Sequence, residues 1–186
     1  MSPLTDQQII DSTRSWVENV VVAFNLCPFA KRELVKDRVR FVVSKANNEA
    51  VLLDELAREL ALLNSNESIE TTLLIHPQVL QDFFQYNDFL EVADALLVEM
   101  DLEGIYQVAS FHPDYQFGGT EPSDAENYTN RSPYPMLHLL REDSLTLAID
   151  NYPDVDLIPE RNIQCMNEQG ADKLRAILAG CLQKPC

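Results

Sequence analysis

The stretch Phe111–Glu142, FHPDYQFGGTEPSDAENYTNRSPYPMLHLLRE, decides how this chain of 186 residues is read. It opens at the end of a buried strand, Tyr106-Gln107-Val108-Ala109-Ser110-Phe111, and closes on Met136 to Arg141, which reads as a helix. More than twenty residues between them show neither helical nor strand periodicity. Loops of that length are uncommon in folded domains and are usually functional or disordered. Disorder is disfavoured, because Tyr115, Phe117, Tyr128 and Tyr134 supply apolar surface and the solvating Glu/Lys/Ser runs are missing. The stretch also holds two of the three histidines, two of the five glycines and four of the ten prolines, which marks it as the place to look for a site.

The remaining elements follow outward from it. Thr5 with Gln8 forms a capping box before a helix over 5–24, with Ile9, Thr13, Trp16 and Val20 at helical spacing. Val39, Phe41 and Val43 alternate with polar residues, which predicts a strand over 38–44. Asn47 or Asn48 caps a helix carrying Leu52, Leu56, Leu60 and Leu63, and Thr71 to Ile75 is a β-branched strand. A short helix over 79–85 and a longer one over 88–102 come next, stopped by Gly104. Beyond the loop, 145–151 fits a helix, Asp156 caps another that ends at Gly170, and Leu174 to Cys181 marks the last, with Pro185 ending regular structure. Strands alternating with helices favour parallel pairing. The expected architecture is α/β (or α+β): one domain over 1–186, with a small three-stranded, mostly parallel sheet flanked by helices and followed by a C-terminal helical segment.

Composition excludes several function classes. Thirty acidic and fourteen basic residues give a net charge of −16, and no Lys or Arg lies between Arg58 and Arg131. Nucleic acid and anionic membranes call for clustered cations, so neither is an expected partner. The basic cluster from Lys31 to Arg40 reads as a solvated face beside a strand. The N-terminus lacks the basic and apolar regions of a signal peptide, and the four cysteines lack CxxC spacing. A cytoplasmic protein with reduced thiols is expected.

Two histidines share one local setting. Ile75-His76-Pro77 and Phe111-His112-Pro113 each end a strand, and open α/β sheets bind ligands beyond the carboxyl ends of their strands. His76 reads as a residue that closes its strand; His112, where the long loop starts, is a candidate proton carrier. On the expected helix 136–141, His138, Arg141 and Glu142 would share one face. Arg131, Arg141 and Arg161 are the only basic residues between Arg58 and Lys173, and guanidinium forks suit carboxylate or phosphate. Each of them also has a plainer reading as a surface ion pair. Gly118-Gly119 reads as a tight turn, and Asp124, Glu126 and Asn127 as turn and cap residues. Cys27 precedes Pro28 but lacks a second cysteine, so a dithiol mechanism is excluded; a lone nucleophile and a buried structural thiol both remain open. His112, Asp114, His138 and Cys27 offer mixed metal ligands, yet no HxH, HExxH or CxxC spacing supports a metal centre.

Five segments together carry a family resemblance: Asn25-Leu26-Cys27-Pro28-Phe29-Ala30, Phe111-His112-Pro113, Asn130-Arg131-Ser132-Pro133-Tyr134-Pro135, His138-Leu139-Leu140-Arg141-Glu142 and Glu160-Arg161-Asn162. They resemble the signature of a mainly bacterial family catalogued as domain of unknown function 1415. The resemblance covers nearly the whole chain and implies no particular activity, cofactor or oligomeric state. Function therefore rests on the residues. They suggest a pocket for a small anionic metabolite: Arg131 and Arg141 hold the anion, Asn130, Ser132 and Tyr134 orient it, His112 and His138 move protons, and Cys27 is a candidate nucleophile. The rival is a non-enzymatic interaction module that presents the 111–142 loop to a partner protein.

Overall fold

The computed structural model describes residues 3–150, 152 and 154–183. Helix α1 (Asp6–Trp16) starts at the expected capping box: Thr5 Oγ1 accepts the Gln8 amide at 3.2 Å, and Gln8 Oε1 accepts the Thr5 amide at 2.9 Å. It passes directly into a π-helical turn, Val17–Val22. Next come α2 (Ala30–Val35), β1 (Val39–Val43), α3 (Glu49–Ser65) and β2 (Thr71–Ile75). Then follow α4 (Phe83–Glu99), β3 (Tyr106–Phe111), a 3-10 turn (Ala125–Thr129) and β4 (Met136–Arg141). The chain closes with α5 (Glu142–Asp150), α6 (Ile158–Gln169) and α7 (Ala171–Cys181). Asn151, Pro185 and Cys186 lie outside the described residues.

The α/β class holds, but the sheet corrects the expectation of three strands. Among the described residues four strands form one sheet in the order β1-β2-β4-β3. Only β1 and β2 pair in parallel; β4 runs antiparallel to both β2 and β3 and lies between them. The strand taken for a helix is β4 itself. Met136, Leu137 and Leu139 are all fully buried, because a central strand packs both of its faces. Such a strand reads as a continuous apolar run, which periodicity alone does not distinguish from a buried helix.

A second correction concerns 79–102. The two expected helices are one, α4, capped where Asp82 Oδ1 accepts the amides of Phe84 and Gln85, each at 3.0 Å. Residues 77–82 form a turn instead, with Leu80 in the left-handed region at φ 56°. Asp156 likewise caps nothing: α6 starts after Leu157 with no side-chain cap.

Two apolar layers hold the sheet. On one face Leu52, Leu56, Leu60 and Leu63 of α3 and Phe89, Ala93 and Leu97 of α4 pack on Leu74, Leu137 and Leu139. Four leucines at 0 % exposure make α3 the anchor of this face, each contributing roughly 1.5–3 kcal/mol. On the other face Ile9, Trp16 and Val20 join Met166 and Leu174 over Leu73, Ile75 and Met136. Two arginines of the basic cluster are paired: Arg40 forks onto Glu59 at 2.7 and 3.0 Å, and Arg38 meets Glu70.

Candidate functional site

Because β2 and β3 both run antiparallel to β4, they end at the same edge of the sheet. His76 and His112 emerge there as read, but both are fully buried. Tyr86 of α4 stands between them, with ring centroids 5.8 Å from His76 and 5.1 Å from His112. Nδ1 of His112 accepts the Asp114 amide at 3.0 Å, so Nε2 carries the proton and points to the Leu80 carbonyl at 3.2 Å. Both ring nitrogens are thereby used in closing the loop onto the turn 77–82. Nδ1 of His76 meets the Val79 carbonyl at 3.0 Å, while its Nε2 is buried without a partner. Burial lowers the pKa of both rings, that of His76 to about 4.

The long loop is built from the inside by its own polar side chains. Asn127, fully buried, accepts from the Phe117 amide (2.9 Å) and the Thr120 hydroxyl (2.8 Å) and donates to the Glu121 carbonyl (2.8 Å). It is the hub of the loop, although its sequence setting suggests only a turn residue. Asn130 donates to the Ser110 carbonyl at 3.1 Å, and buried Ser132 donates to the Tyr134 carbonyl at 2.7 Å. Arg131 lies 4.7 Å over the Tyr128 ring and donates to the carbonyls of Tyr115 (3.1 Å) and Pro122 (2.8 Å). Tyr128 is buried, and Tyr115 and Phe117 are half-buried against each other and Phe83.

The remaining candidates lie apart. Arg141 spends its donors on the carbonyls of Leu63 (2.6 Å), Asn66 (3.1 Å) and Ile69 (3.0 Å) and on the Tyr106 hydroxyl (3.0 Å). It ties the end of α3 to β4. His138 is on the opposite face of β4, packed against Phe111 at 5.9 Å, whereas His112 packs against Phe83 and Tyr86 on the α4 side. Being on a strand, His138 and Arg141 cannot share a face as helical spacing would allow. Cys27 is a half-buried free thiol whose pKa burial raises, which opposes a resting thiolate. The neighbouring Leu26 carbonyl accepts from Asn162 at 3.0 Å, joining two of the family-like segments. Among the described residues no group of three or more His, Cys, Asp or Glu side chains is placed to hold a metal ion. No helix there is long and apolar enough to cross a membrane.

One reactive group remains open. Thr71 Oγ1 donates to the Leu139 carbonyl at 2.6 Å and lies 2.7 Å from His138 Nε2. With its only proton committed, the hydroxyl accepts from Nε2–H, so Nδ1 of His138 presents a lone pair. That Nδ1 has no hydrogen-bond partner among the described residues. Burial of the ring lowers its pKa to about 4. Register places Phe41, Leu73, His138 and Ala109 in one row across the α1 side of the sheet. At the far end of that row the Arg14 guanidinium lies 4.6 Å over the Phe41 ring. The Arg14 side chain makes no ion pair or hydrogen bond among the described residues. Strand spacing puts the Cα atoms of Phe41 and His138 about 10 Å apart. Sequence reasoning misses Arg14 and Thr71; the one available signal is that Arg14 borders the buried stripe Ile9, Thr13 and Trp16 of α1.

No curated protein matches this chain, and no solved structure matches it. The model of one family, described as "Protein of unknown function (DUF1415)", matches residues 8–176, and the chain belongs to that family.

Proposed function

We propose that this protein binds a small anionic metabolite on the α1 side of the sheet, over the row Phe41–Leu73–His138–Ala109. The observation that carries this reading is His138: a central-strand histidine, oriented by Thr71, whose Nδ1 lone pair stays open in an otherwise apolar layer. Arg14 supplies the anion's partner, because its fork is uncommitted and its plane is already set by Phe41. His138 Nδ1 then accepts a hydrogen bond from a hydroxyl or other protic group of the ligand, in the tautomer that Thr71 sets. Two further polar atoms of the same layer, Trp16 Nε1 and the Tyr134 hydroxyl, are buried without partners. Arg131 and Arg141 keep structural work in this reading.

Thermal-shift screening with small carboxylates, inorganic phosphate and phosphate monoesters tests it. At tenfold excess over Kd, a binding anion should raise Tm by about 3–6 °C. Arg14→Ala should abolish the shift, and Arg131→Ala should keep it. If no anion stabilises the wild type, or Arg14→Ala responds equally, the reading is wrong.

A further inference from the structure

Among the described residues the outer edge of β3 has no strand beside it. Glu142 N donates to the Ile105 carbonyl at 3.0 Å, which fixes Ile105–Glu142 as a hydrogen-bonded pair. Alternation along an antiparallel ladder then turns Gln107 and Ala109 toward β4, and the peptide groups of Tyr106, Val108 and Ser110 outward. The chain satisfies two of these positions itself: Tyr106 N reaches the Leu102 carbonyl at 3.1 Å, and the Ser110 carbonyl accepts from Asn130. Val108 between them has no such outward partner among the described residues. Beside it a groove of about 560 Å³ runs between α4 and β3, lined by Ala95, Val98, Val108, Asp94, Glu103 and Glu142 among others. Val98 is 55 % exposed and Ile105 48 % exposed, so apolar surface flanks the groove.

Exposed edges are usually blunted by lysine, proline or a bulge. This edge carries none of these, and no Lys or Arg occurs between Arg58 and Arg131. Arg141 lies nearby, but its donors are committed to backbone carbonyls and Tyr106. We infer that the β3 edge docks an extended segment of a partner protein, with lysine or arginine alternating with small apolar residues. Backbone pairing at Val108 would hold the strand; alternation turns one set of its side chains to the α4 face, so the basic ones would enter the groove, laying their stems on Ala95 and Val98 and their charges beside Asp94, Glu103 and Glu142. A second copy of this chain fits poorly, because pairing two β3 edges would bring two such acidic rims together.

A short labelled peptide of alternating Lys and Val, compared with its Glu/Val counterpart, tests the inference on the full chain by fluorescence anisotropy. The Lys/Val peptide should bind, and added salt should weaken it. Val108→Pro removes the outward amide and is tolerated on an edge strand; it should weaken binding about tenfold. Glu103→Lys with Glu142→Lys should do the same at low salt. If Val108→Pro fails to fold, peptide N-methylated at alternate residues replaces it and should lose binding equally. Equal binding of the two peptides, or unchanged affinity in the charge-reversed variant, overturns the inference. So does self-association of the wild type that disappears in Val108→Pro.

Discussion

Thr71 Oγ1 sits 2.7 Å from His138 Nε2 while giving its own proton to the Leu139 carbonyl, so one threonine on β2 sets the tautomer of a histidine on β4. Thr71→Val keeps the shape and removes the acceptor. The Nε2–H is then left without a partner, which should cost about 1–3 kcal/mol. Nitrogen chemical shifts of the ring should move from a single Nε2–H form toward a mixture. An unchanged tautomer would show that something other than Thr71 fixes the ring.

Stability should fall with acid through the buried histidines. Burial lowers the pKa of His76 and His138 to about 4 from an ordinary value of 6.5. Between those values the unfolded chain binds more protons than the folded one, so stability rises with pH. Their contribution is fully present above pH 6.5 and is lost as pH falls toward 4. Thermal midpoints across this window should decline steadily, and His138→Gln should decline less steeply than wild type. Parallel curves would mean that His138 titrates normally in the fold.

Tyr86→Phe tests the joint between α4 and the sheet. The phenol donates to the Met136 carbonyl at 2.8 Å and accepts from the Phe111 amide at 2.9 Å, so it bridges facing residues of β3 and β4. Its loss strands two backbone groups and should destabilise the protein by about 1–3 kcal/mol. Hydrogen exchange at the Phe111 amide should accelerate. Protection equal to wild type would mean that the two strands pair directly there.

The two loop-region arginines should fail differently. Arg141→Ala frees the carbonyls of Leu63, Asn66 and Ile69 and should lower global stability by about 2–4 kcal/mol. Arg131→Ala releases the loop from Tyr128 and should open Gly118-Gly119 to proteolysis with a smaller change in Tm. Arg131→Lys should not restore protection, since lysine lacks the planar fork. Identical proteolysis of wild type and Arg131→Ala would remove Arg131 from the loop's support.

The sequence by itself determined α1 with its Thr5/Gln8 box, the leucine seam of α3, the strand Thr71–Ile75 and the ordered loop. Each of these depends on caps, spacing or composition within a few residues, which local physics decides. It also located the polar residues that build the loop, without their tasks. Only the tertiary structure decided that Met136–Arg141 is a strand, because an apolar run buried on both faces carries no period of its own. Inserting that strand between β2 and β3 made the sheet mixed. It also put His138 and Arg141 on opposite faces, since strand side chains alternate. The pairing of Arg14 with Phe41, and of Thr71 with His138, joins residues far apart in sequence. Register and layer packing bring them together, and no local pattern in the chain encodes either.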